Sequence, residues 1–159
     1  IWITRSNYLD TVSLIFSKSC EYALQASLFL AKQPKDEFVL LREISDKLDI
    51  PHHFLSKVLQ TLTRADVVTS YKGAKGGFTL ARPSKDIYLM EIVRAMDGDK
   101  FLEECVLGFP GCNDRTPCPV HPQWKRAKEI ILNMLQKKTL AELSKELEPK
   151  LDLIAQLSS

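Results

Sequence analysis

The chain reads as mainly α-helical with a small β-hairpin wing, a winged helix-turn-helix unit joined to a long helix suited to dimerisation. Three observations predict this. Two short amphipathic stretches, around Glu43–Leu48 and Phe54–Leu62, are separated by Asp49-Ile50-Pro51, where the residue before proline is driven out of the helical basin. A β-branched and aromatic run, Val67–Tyr71, is followed by the turn Lys72-Gly-Ala-Lys-Gly-Gly77 and a second run, Phe78–Ala81. Far along the chain, Trp124, Ala127, Ile131 and Met134, with Ile130 and Leu135 beside them, make an apolar stripe too wide to stay wet on one helix.

The elements follow in order. Residues 1–13 have no clear period and no initiator methionine, and residues 1–15 are read as an extension, with 1–13 an added remnant or a stretch translated upstream of the natural start. Between Ser17 and Lys32, Tyr22, Ala23, Ala26, Phe29 and Leu30 recur at helical spacing, and Gln33-Pro34 ends the run. A short apolar piece, Phe38–Leu41, leads into the helix-turn-helix and the wing. In the wing, Gly73, Gly76 and Gly77 are expected to make the turn flexible. Ile87–Met96 is expected to be a fourth helix with Gly98 as a left-handed cap. Thr139-x-x-Glu142 is a capping box for a helix over Leu140–Leu147, and Pro149 stops it. The units are therefore 16–98 for the winged helix-turn-helix, 99–122 for a cysteine loop, 123–148 for the dimerisation helix with a short helix after it, and 149–159 for a tail.

At 159 residues with 45% apolar and 26% charged side chains, one main core is expected. No run approaches a membrane span, and the chain is read as cytoplasmic with no membrane partner. The net charge of +2 decides nothing by itself, yet between Arg42 and Arg82 seven Lys/Arg stand against four Asp/Glu, so the remainder is close to neutral. A helix-turn-helix can set its second helix in a major groove while wing cations reach phosphate. Arg42, His52, His53, Ser56, Lys57, Lys72 and Lys75 are the candidate DNA contacts.

Cys105-x6-Cys112-x5-Cys118 with His121 three residues on, in a stretch broken by Pro110, Gly111, Pro117 and Pro119, suggests a metal centre. Spacing leaves structural zinc and an iron–sulfur cluster level, with a metal-free thiol sensor as a third reading. In a reducing compartment disulfides are the minor reading. The lone Cys20 is read as a small buried hydrophobe with no role. A Cys3His set without a glycine-rich phosphate loop or paired carboxylates offers no substrate site, so the chain is not read as an enzyme.

Tyr22-Ala-Leu24, Leu41-x-Glu-Ile-Ser45, Ile50-Pro-x-x-Phe-Leu55, Ser70-Tyr-Lys-Gly-x-x-Gly-Gly-Phe-x-Leu80 and Cys118-x-x-His121-x-x-Trp124 closely resemble a bacterial winged-helix regulator family. That family includes the iron–sulfur-cluster-assembly regulator and a nitric-oxide-sensing repressor, and the likeness covers about residues 16–148. It implies a transcription regulator, a homodimer held by the long helix through Trp124, Ala127, Ile131 and Met134, and a near-palindromic double-stranded operator. It also implies a cluster on Cys105, Cys112 and Cys118, with His121 as fourth ligand for [2Fe-2S], or Glu21 of the partner subunit for [4Fe-4S]. The Cys-x-x-His-x-x-Trp match favours [2Fe-2S]. Ser56 and Lys57 stand where the cluster-assembly regulator has an acidic-amide pair, so its operator preference does not carry over. An electron-transfer protein would use a cluster but would not need Lys72, Lys75 and the wing.

Overall fold

A computed structural model describes residues 15–147. All but the last residue of the expected 1–15 extension, the 149–159 tail and the Pro149 stop lie outside them.

Helix α1, Lys18–Ala31, starts where the Ser17 hydroxyl accepts the Cys20 N–H at 3.1 Å, while the Ser17 N–H donates to Asp97 Oδ2 at 2.7 Å. Its buried face, Cys20, Ala23, Ala26, Ser27 and Leu30, is small enough for the later helices α3 (His52–Arg64) and α4 (Leu89–Asp97) to pack closely on it. Helix α2, Leu41–Leu48, ends at Asp49 in the left-handed region, φ +52°. Aspartate tolerates that basin, and the Ser45 hydroxyl locks the turn by donating to the Ile50 carbonyl at 2.6 Å. Helix α3 then starts one residue after Pro51 and buries Leu55, Val58, Leu59 and Leu62. The opposite side of α3, with His52, His53 and Lys57, is exposed.

Strands β1, Val68–Tyr71, and β2, Gly77–Leu80, pair antiparallel with Val68 opposite Leu80 and Tyr71 opposite Gly77. The Phe38–Leu41 piece has a definite use. Val39 exchanges backbone bonds of 2.9 and 2.8 Å with Phe78, and Phe38 packs on Tyr71 with ring centroids 5.7 Å apart. This closeness corrects the expectation of a flexible turn. A Cβ on Gly77 (φ +149°) would lie 2.4 Å from the Val39 carbonyl oxygen, and one on Gly76 2.5 Å from that of Tyr71. Glycine is required there by close backbone packing, which fixes the wing rather than loosening it.

The fourth helix, α4, begins two residues later than expected because Ile87 and Tyr88 are extended. The Ile87 carbonyl accepts the Leu140 N–H at 2.9 Å, and Tyr88 bridges Thr139. Glu91 closes the start of α4 by accepting the Tyr88 N–H at 2.9 Å and Arg82 Nη2 at 2.6 Å, which ties the wing's end to this helix. Gly98 has φ +67° but ψ −151°, so it is not the expected left-handed cap; the conformation is still one that glycine tolerates. One helical turn, α5 (Lys100–Glu103), was not expected and sets Phe101 edge-on against Phe16 at 5.8 Å.

Helix α6, His121–Lys137, begins at His121 itself, with proline at its first turn. Leu135 is buried, and Ile131 and Leu132 pack partly on the same core, whereas Ile130 is 71% and Met134 48% exposed. The described residues 140–147 form α7. Its expected capping box is present: Glu142 accepts the Thr139 N–H at 2.8 Å, and Thr139 Oγ1 accepts the Glu142 N–H at 3.3 Å. Among the described residues no helix is long and apolar enough to cross a membrane.

Candidate functional site

The cysteine loop is held from its two ends rather than from a core. Trp124 Nε1–H donates to the Glu104 carbonyl at 3.0 Å and Lys128 Nζ to that of Leu102 at 2.6 Å, so the start of α6 fixes the chain just before Cys105. The His121 N–H donates to the Cys118 carbonyl at 3.0 Å, which joins the end of the loop to the start of α6, and the imidazole reaches Cys112 while lying outside the group formed by the three sulfurs. Between Cys112 and Cys118 the loop turns on Asn113, whose Oδ1 accepts the N–H groups of Arg115 (2.8 Å) and Thr116 (3.1 Å).

This framework brings the three expected thiols together, with their sulfurs all within 4.8 Å of one another and each residue partly buried. The Sγ atoms of Cys105 and Cys118 are 3.6 Å apart, and His121 Nδ1 is 3.2 Å from Cys112 Sγ. The other ring nitrogen, Nε2, is 3.1 Å from Asp114 Oδ1, and Lys125 Nζ reaches both Asp114 oxygens at 3.0 and 2.8 Å. Sequence reading missed Asp114 and Lys125, since an irregular loop has no period and nothing in the pattern marks a carboxylate aimed at a histidine.

Electrostatics separates the thiols. Desolvation is the largest single influence on Cys105 and raises its pKa, but the backbone N–H groups of Phe109 and Leu107 and the thiols of Cys118 and Cys112 together outweigh it. The net result is a value lowered to about 7. For Cys112 the largest influence, the Cys118 N–H, lowers the pKa, yet burial and the neighbouring sulfurs leave it raised. Cys105 is therefore the more readily ionised of the two, and the thiolate is the metal-binding form. Hydrogen bonding from Lys125, then from His121, holds the Asp114 carboxyl below its ordinary range. Cys20 stands apart, fully buried on α1, its thiol pushed up to about 12 chiefly by burial and then by Asp97.

Three thiolates and an imidazole suit zinc or an iron–sulfur cluster in donor chemistry. Glu21, on the first turn of α1, is paired with Lys18 at 2.9 Å and does not belong to the thiol group of its own chain.

At the other end, α3 and the wing carry the expected basic residues on the surface. His52, His53, Lys57, Lys72 and Lys75 are exposed and Ser56 is half-buried. Among the described residues Lys57, Arg64, Lys72 and Lys75 make no ion pair. Arg42 differs, lying 3.8 Å from Asp46 on an exposed face of α2. His53 packs on Phe54 with ring centroids 4.1 Å apart. A groove between α3 and the wing, lined by Gln60, Arg64, Tyr71 and Lys72 among others, joins the two surfaces. Of the stripe expected to bind a second subunit, Trp124, Ala127 and Ile131 are half-buried and Met134 is exposed.

The Rrf2 family model, described as an iron-dependent transcriptional regulator, matches residues 16–146. A chain of Aquifex aeolicus (strain VF5), whose name is that of an HTH-type transcriptional regulator, is 34% identical over 132 residues, 82% of this chain and 91% of that one. Among solved structures, T. potens IscR is similar at TM-score 0.68 and 26% identity, covering 88% of this chain and 91% of its own. The global cysteine regulator CymR of B. subtilis is similar at TM-score 0.69 and 24% identity, covering 82% and 96%, a likeness of fold.

Proposed function

The chain belongs to the Rrf2 family of transcriptional regulators, and from that premise we propose that it is a homodimeric DNA-binding regulator whose sensory element is an iron–sulfur cluster, [2Fe-2S] in preference to [4Fe-4S]. The observation that carries this reading is the grouping of donors. A tetrahedral site with metal–sulfur bonds of about 2.3 Å has an edge of roughly 3.8 Å, slightly less where one donor is nitrogen. Cys105 with Cys118 at 3.6 Å, and Cys112 with His121 at 3.2 Å, are two pairs at about that spacing. Two pairs of donors grouped in this way would suit a centre of two irons, each held by one pair.

Cys105, Cys112, Cys118 and His121 would hold the group, which when bound supplies a centre responsive to oxidation, nitric oxide or iron supply. The chain's own part is to orient those four donors and to join their loop to α6. Glu21 of the partner subunit is the alternative fourth ligand, for [4Fe-4S]. Structural zinc is favoured by one observation, the closeness of all three sulfurs within 4.8 Å.

On the DNA side, His53 and Ser56 at the start of α3 would meet base edges, while His52, Lys57, Lys72 and Lys75 would meet phosphate, with Arg42 at the margin. Residues 16–98 would act as the DNA-binding unit, 99–122 as the sensor and 123–148 as the subunit contact. Coupling of a typical ~1–3 kcal/mol between cluster and operator would change affinity roughly 5–150-fold. The exposed Ile130 and Met134 support a second copy on α6. Met134→Glu should therefore shift the protein toward monomer in light scattering at micromolar concentration, whereas unchanged dimer mass removes that face from the interface.

The test of the cluster is the visible spectrum with iron and sulfide analysis of anaerobically purified protein. Bands beyond the aromatic absorption with equal iron and sulfide support the reading. Colourless protein containing zinc overturns it.

A further inference from the structure

The Asp114 carboxylate stands at the meeting point of three elements. The Asn113 turn carries it back over the start of α6, where its Oδ1 is 3.1 Å from His121 Nε2, and Lys125, one helical turn on, grips both oxygens at 3.0 and 2.8 Å. His121 is the least exposed of the three, with 14% of its side chain accessible against 69% for Asp114 and 50% for Lys125. The ring is therefore held from outside while its inner edge faces Cys112 Sγ at 3.2 Å.

A histidine has two nitrogens, and the bond that one makes fixes which the other offers. With Nε2–H donated to a carboxylate, the Nδ1 lone pair is left facing the Cys112 sulfur. Among metal-binding histidines, a carboxylate on the outer nitrogen sets ring orientation and raises the basicity of the inner one. Lys125 keeps that carboxylate from rotating away, since a lysine on both oxygens leaves it little freedom to turn.

We propose that Asp114, clamped by Lys125, is a positioning residue that holds His121 as the fourth metal donor through Nδ1. This rests on His121 serving as a ligand, as proposed above. It explains why a half-exposed ion pair links the loop to α6 beside His121.

The test compares wild type with Asp114→Ala, Asp114→Asn and His121→Ala, all purified anaerobically with their clusters. Pulsed electron paramagnetic resonance of the reduced cluster reads the nitrogen coupling of a bound histidine, and iron release to a chelator reads affinity. Asp114→Ala should change the nitrogen coupling and weaken iron retention about 10–100-fold. Asp114→Asn, which keeps an oxygen acceptor, should recover most of both. Asp114 is exposed, so the far-ultraviolet circular dichroism of these variants should match wild type. Unchanged coupling and retention in Asp114→Ala would overturn the proposal while leaving the cluster in place. If His121→Ala keeps a cluster with the wild-type nitrogen signal, His121 is no ligand and the proposal falls with it. If the wild type holds no iron, the cluster reading fails by itself. The same variants loaded with Co(II) then decide the positioning claim, which requires the visible d–d bands of wild type to shift in Asp114→Ala and falls if they do not.

Discussion

Helix α3 with the wing and the cysteine loop are built by opposite means. In the first, Leu55, Val58, Leu59 and Leu62 of α3 and Val67 and Val68 beside and in β1 are buried in one core with α1 and α4. The wing is fixed further by the Val39–Phe78 pair and by glycines that no larger residue can replace. In the second, Val106, Leu107 and Phe109 are more than half exposed, and the loop's form comes from polar bonds at its ends and from thiols that face one another. Apolar burial at roughly 25 cal/mol per Å² gives α3 and the wing a shape that needs no ligand. The loop has little such burial and rests on polar contacts, so a group bound by its donors would add to its order, as the proposed sensing role requires.

That contrast can be broken at either end. The largest effect is expected at the thiols. Cys105→Ala should abolish visible absorption and bound iron and sulfide, because a methyl group cannot replace a thiolate. The unfolding midpoint of the metal-free protein should move by no more than about 0.5 kcal/mol equivalent, as for surface positions away from core features. A variant that keeps full iron and sulfide removes Cys105 from the site, and one that fails to fold without metal shows that the loop supports the core.

The converse test is Gly77→Ala, which forces a side chain into the Val39 carbonyl at a backbone angle that suits glycine. It should cost about 1–3 kcal/mol in urea unfolding and weaken operator binding, with the cluster spectrum unaltered. Full stability would mean that the wing is not fixed by that approach. Smallest is the change at the wing tip. Lys72→Ala or Lys75→Ala should leave stability alone and reduce the slope of log affinity against log salt by roughly 0.9 for each phosphate no longer neutralised. An unchanged slope takes the wing away from DNA.

The same contrast governs what the sequence displays. Elements stabilised by burial repeat with the period of their backbone, so α1, α3, both strands and the Thr139–Glu142 box can be read in advance from apolar spacing and capping residues. Where backbone is drawn away by a distant partner, spacing misleads. Ile87 and Tyr88 look helical but are extended to pair with 139–140, and Gly76 and Gly77 look like a loose turn but are packed against other backbone. In the loop, the approach of the three cysteines to one another could be anticipated, because clustered thiols in a Pro/Gly-rich stretch point to a shared site. The placing of Asp114 and Lys125 could not, since charged residues are common on surfaces and only the fold aims these two at His121. The split of α6, with Leu135 facing inward and Ile130 and Met134 outward, also depends on where α4 lies.

The most direct measurement is operator affinity of one anaerobic preparation before and after removal of its cluster, at fixed salt, with the Cys105→Ala protein as the permanently cluster-free reference. The account predicts that affinity changes by at least about 5-fold, in either direction, and that the stripped protein matches Cys105→Ala. Equal affinities with and without the cluster, for a protein that does bind DNA, would contradict it: the thiol centre would then be structural and the regulator would take its signal elsewhere.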